Sequence, residues 1–135
     1  VAGVLVALAV PAVASAGGSY VFHHYNGKRV GDFKQAHPRA LGFCMDSGCQ
    51  GYWLTQSVHW HNWGHRHASA HGKLASADLS GTPTRIKMRH KQKFHDCFKH
   101  GDTVRFYTRA RIHIRGEGHH WRSIPHSTLV PKCHR

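Results

Sequence analysis

The sequence predicts a small single-domain, all-β protein, a β-sandwich or barrel of about seven short strands stapled by disulfides. Three observations carry that expectation. Polar and apolar residues alternate with period two in several stretches, as in strands whose successive side chains face opposite sides of a sheet. Turn signals recur at short intervals, at Asn26-Gly27, Ser47-Gly48, Gly72-Lys73, Ser80-Gly81-Thr82-Pro83, Gly101-Asp102 and Gly116-Glu117-Gly118. Helical periodicity is weak throughout, its best stretch running from His67 to Leu79, which leaves a sandwich or barrel as the expected class.

The chain begins with an uncharged apolar run from Val1 to Val13, followed by Ala14-Ser15-Ala16. That order matches the apolar region and small-residue cleavage site of a secretory signal peptide. With neither an initiator Met nor a basic leading segment, it reads as truncated at its start. The run falls short of the roughly 20 residues that a membrane-spanning helix needs. Residues 1–16 are therefore expected to be removed, leaving residues 17–135 as one secreted β-rich domain with no transmembrane segment.

Within that domain the first strand pair is expected at Tyr20 to Tyr25 and Lys28 to Phe33, around Asn26-Gly27, the strongest local hairpin signal. A third run extends from Gln50 to His61, and later ones from His119 to Ile124 and from Ser127 to Pro131. Trp60 and Trp63 are read as core or rim packing, since buried aromatics carry much of a small core. The core is lean in apolar residues, and small secreted domains of that kind are commonly cross-linked. Four cysteines, Cys44, Cys49, Cys97 and Cys133, allow three pairings. The favoured one joins Cys44 to Cys49 around Met45-Asp46-Ser47-Gly48 and Cys97 to Cys133; the lack of a Cys-x2-Cys pair argues against a cysteine zinc site.

Two stretches carry the functional signal. From Arg85 to Phe94 every odd position is Lys or Arg, and from Val104 to Arg115 odd positions are again basic or polar while even ones are mostly apolar. If His95 to Asp102 closes a hairpin, Arg85, Lys87, Arg89, Lys91, Lys93, Arg105, Arg109, Arg111 and Arg115 share one sheet face. Like charges opposite one another cost roughly 0.2 to 1 kcal/mol per pair, so the face works against the fold until a polyanion covers it. Alternation alone would fit any solvated face, but no Asp or Glu occurs in either stretch. The whole chain shares the bias, with 19 Lys and Arg against 6 Asp and Glu, a net charge of +13, and 16 histidines that add charge as pH falls.

The expected function is that of a secreted cationic, histidine-rich module binding an extracellular polyanion: nucleic acid, anionic wall polymer, sulfated glycan or anionic lipid. It needs no cofactor. An alternative places zinc or copper on the histidine-rich segment from His59 to His71, with His59, His61 and His65 as ligands, because His-x-His on a strand presents two imidazoles to one ion. Gly64 is expected to bend that strand. A further alternative is a metal-independent ribonuclease using His113, His119 and His120 beside Arg111, Arg115 and Arg122. The six acids are scattered, so neither paired-carboxylate nor magnesium-dependent chemistry is supported.

Overall fold

In the computed structural model the described residues are 18–75, 80–95, 103–116, 118, 120–131 and 133. The predicted signal segment and Cys97 lie outside them. Eight strands follow in order: β1 (Ser19–Tyr25), β2 (Val30–Gln35), β3 (Leu41–Cys44), β4 (Tyr52–His61), β5 (His67–Leu74), β6 (Pro83–His95), β7 (Thr103–Ile114) and β8 (Arg122–Ser123), then a single helical turn, α1 (His126–Leu129). They form one sheet in the order β2-β1-β7-β6-β5-β4-β3, with β8 added beside β7. All pairings are antiparallel except that of β1 with β7.

The expected all-β class and strand number are present, and the topology adds a feature of its own. The sheet curls until its β3 edge meets β1, where the Gly42 N–H donates to His23 Nδ1 at 3.4 Å. No ladder joins these two strands, so the sheet is strongly curled and open. Contact at the seam is close enough to require glycine: a Cβ on Gly42 would lie 2.7 Å from Tyr25 Cβ and 2.9 Å from Leu54 Cδ2. Gly42→Ala is therefore expected to lower stability by about 2 kcal/mol, the usual cost of overpacking, which urea unfolding would measure.

The concave side of the sheet holds the core, with Val21, Leu41, Phe43, Leu74, Ile86, Met88, Tyr107, Ile112 and Leu129 almost wholly buried. Trp63 is buried among them and Trp60 packs at their rim, as expected. Each fully buried Leu, Ile or Phe contributes about 1.5–3 kcal/mol, offset by the entropy of ordering the chain.

Local signals explain most of the boundaries. Asn26 Oδ1 accepts from the Lys28 and Arg29 N–H groups, both at 2.9 Å, and Gly27 takes φ +96°, so the Asn-Gly turn forms between β1 and β2. Asn62 and Gly64 both adopt positive φ, and the chain reverses there rather than merely bending. The Cys44–Cys49 disulfide closes its tight loop as expected. Cys133 is also disulfide-bonded.

Two expectations are corrected. The stretch from His67 to Leu79 is not helical over its described part; residues His67–Leu74 form β5, whose small residues Ala68, Ala70 and Gly72 alternate inward between exposed His67, His71 and Lys73. Ser127 to Pro131 is not a strand. Thr128 Oγ1 donates to the Pro125 carbonyl at 2.8 Å, and the local turn becomes α1.

Candidate polyanion interface

Strand register determines which polar side chains meet on the convex face. Arg85 lies opposite His113, Lys87 opposite Arg111, and Arg89 opposite Arg109 across β6 and β7. On the other side of β6, β5 places His71 beside Arg85, Ser69 beside Lys87 and His67 beside Arg89. One strand further, His59 faces His71 and His61 faces Ser69. Three cross-strand rows result, and their members are exposed or half-buried. No row contains an acid, so no described residue of these rows neutralises the opposed Lys87–Arg111 and Arg89–Arg109 pairs.

The expected parity holds through Arg89 and then changes. His90 takes φ +62° within the strand, and its carbonyl accepts from Thr108 Oγ1 at 2.6 Å. Beyond it, odd-numbered Tyr107 is fully buried and stacks edge-on against Trp63, with ring centres 5.2 Å apart. Its hydroxyl donates to the His65 carbonyl at 2.7 Å and accepts from the Gly64 N–H at 2.9 Å; burial pushes the phenol pKa up. Lys91, opposite Tyr107, turns inward as well. Its Nζ donates to the Gly64 carbonyl and to Ser19 Oγ, and loss of water, reinforced by Arg105, pushes the ammonium pKa down. Lys93 and Arg105 face each other and are exposed, while Arg115 is exposed in the turn after β7.

The break draws the charges together around a hollow. A recess of about 790 Å³ is lined by Arg89, Lys91, Lys93, Arg105 and Arg109 of the hairpin, by His90, and by Arg66 and His67 at the start of β5. Every one of these side chains is basic. A second groove of about 660 Å³ shares His67, Arg89 and Arg109 and continues past Lys87 and Arg111, with Asn62 on one flank and Ser123 and His126 on the other. His126 is held in place by donating Nδ1–H to the Thr108 carbonyl at 2.7 Å, which leaves its Nε2 as the acceptor.

At the opposite end of the face Trp121 lies among the cations. Lys87 Nζ is 4.5 Å from its ring centre, and the Arg85 and Arg111 guanidinium carbons are at 5.5 and 5.9 Å.

The histidine-rich segment splits between two places. His71 stacks against both His59 and His61, with ring centres at 5.4 and 5.6 Å, whereas His65 belongs to the β4–β5 connection. Elsewhere among the described residues, the ligand atoms of His24, Cys44 and Cys49 lie within 4.8 Å of one another, but the two sulfurs are bonded together. Of the expected ribonuclease group, His119 lies outside the described residues and His113 Nε2 donates to the Gly118 carbonyl at 2.8 Å.

Sequence reasoning did not place Arg66, His67, His90, Trp121 and His126 on the basic face. For His67 the polar-apolar alternation of β5 was a usable signal; the others join the face through tertiary placement. Comparison with protein-family models, curated proteins and solved structures gave no match.

Proposed function

We propose that the chain is a secreted cationic module that binds an extracellular polyanion in the recess and groove on the β5–β7 face. The observation that carries this reading is the lining of the recess, which among the described residues is basic throughout. Repulsion among opposed cations is an energetic cost that a bound row of phosphates or sulfates relieves. Lys87, Arg89, Arg109 and Arg111 are the central contacts, with Lys93, Arg105 and Arg66 extending them; Lys91 supports the recess wall through Gly64. The test is binding of duplex DNA, single-stranded DNA, heparin, teichoic acid and anionic vesicles, each followed by anisotropy or calorimetry over a range of salt. Affinity that falls steeply with salt for at least one of them is the expected result. Failure to bind any of the five overturns the reading.

A second reading is favoured by one observation, the placement of His71 between His59 and His61. The ring centres stand 5.4 and 5.6 Å apart, so His71 is a neighbour of both imidazoles, although the ligand atoms of the three do not gather within 4.8 Å of one another. The site would take zinc or copper, with protons competing because only neutral imidazole ligates. In calorimetric titration with zinc chloride, His71→Ala is expected to lose at least about tenfold in affinity, a lower bound taken from losses at supporting residues. His65→Ala should change nothing. Equal effects of the two substitutions would mean adventitious binding.

A further inference from the structure

Trp121 is a large aromatic on a charged face, and the core does not explain it. Its ring is half-buried and lies outside the cluster of buried apolar residues. What it touches instead is basic: Lys87, Arg85 and Arg111, together with the His113 ring at 5.5 Å and 46°. Those four side chains belong to β6 and β7 and fall in two neighbouring rows of the convex face. The indole therefore lies over that face, with its inner side on the cations.

We propose that Trp121 is a stacking platform for a nucleobase, and that the polyanion is a single-stranded nucleic acid. This deepens the functional reading above and rests on it. An aromatic face amid backbone-binding cations is the combination that grips single strands, because every base presents a π-face and every linkage a phosphate. Lys87 and Arg111 both touch the ring and line the groove, so one strand stacked on Trp121 has its phosphates within reach of the groove cations. Other polyanions use only half of this arrangement. A sulfated glycan or a wall polymer offers no π-face, and a duplex keeps its bases stacked on one another. Sequence preference is expected to be slight, since stacking tolerates every base.

The experiment compares the parent protein, Trp121→Ala and Trp121→Phe on three probes: oligothymidylate, an abasic strand of equal length, and heparin. Binding is read by anisotropy and by quenching of indole fluorescence. Trp121→Ala is expected to weaken oligothymidylate binding about tenfold while leaving the abasic strand and heparin within about twofold, and Trp121→Phe should keep most of the affinity. An unchanged affinity for oligothymidylate, or an equal loss on the abasic strand, would overturn the platform. Thermal unfolding of each variant identifies any that is misfolded, and Trp121→Phe then carries the comparison. Failure of the underlying reading looks different: the parent would bind neither the abasic strand nor heparin in a salt-dependent way.

Discussion

Reversing two charges at the centre of the face, Arg89→Glu with Arg109→Glu, should weaken binding of every polyanion on the order of a hundredfold at low salt. The two residues face each other across β6 and β7 and line both the recess and the groove, so the change reaches both parts of the surface. If about six cations contact a duplex, the slope of log affinity against log salt should be near −5 in the parent, from roughly −0.9 per neutralised phosphate. Losing two contacts should flatten it to about −3.6 or shallower. Nucleic-acid sequences should be affected alike, because side chains on a sheet face reach the backbone rather than base edges. The fold should hold, since neighbouring Lys87 and Arg111 gain opposite charges at a cost or benefit of roughly 0.2–1 kcal/mol. Measured slopes that coincide for parent and variant would reduce the face to a solvated surface.

Acid should destabilise the protein through one buried imidazole. His23 is fully buried at the β1–β3 seam, and its pKa is lowered to about 4, chiefly by loss of water. A 2.6 Å hydrogen bond with Gln35 opposes that shift, and His24 adds to it. The unfolded chain takes up this proton near pH 6.5, while the folded chain does not until about pH 4. Between those values the unfolded state binds more protons, so stability falls as pH falls, and below about pH 4 the loss levels off. At 1.36 kcal/mol per unit the loss amounts to roughly 3 kcal/mol. Urea unfolding at several pH values should show that slope in the parent and its absence in His23→Gln. Identical pH profiles would remove His23 as the cause.

The fold was legible where local chemistry acts alone. Asn26-Gly27 dictates its hairpin through the Asn26 side chain, and the Cys44–Cys49 loop is short enough for its ends to meet. The basic parity of Arg85 to Arg89 and of Arg109 to Arg111 was legible for the same reason, since period two is a property of the strand itself. β3 was not anticipated, because Leu41-Gly42-Phe43-Cys44 is too short to show alternation and is buried at every position. β5 was left undecided because Ala and His favour helix as readily as strand, and only pairing between β4 and β6 decides the matter. His90 is harder still. Its positive φ is held by a hydroxyl on the partner strand, eighteen residues away, and no local pattern announces such a contact.

That residue also determines which shapes of ligand the surface would favour. Up to Arg89 the cations stand in paired cross-strand rows; past His90, whose φ is positive, Lys91, Lys93 and Arg105 line the recess instead. A double helix has a persistence length of about 150 base pairs and is a rigid rod on the scale of one hairpin. It would lie along the cation rows or over the recess, and bending to engage both would cost it energy. A flexible chain can turn where the protein backbone turns. Stiffness of the ligand, independent of its charge density, would then be a quantity this protein measures, and a gapped duplex should outcompete an intact one of equal length.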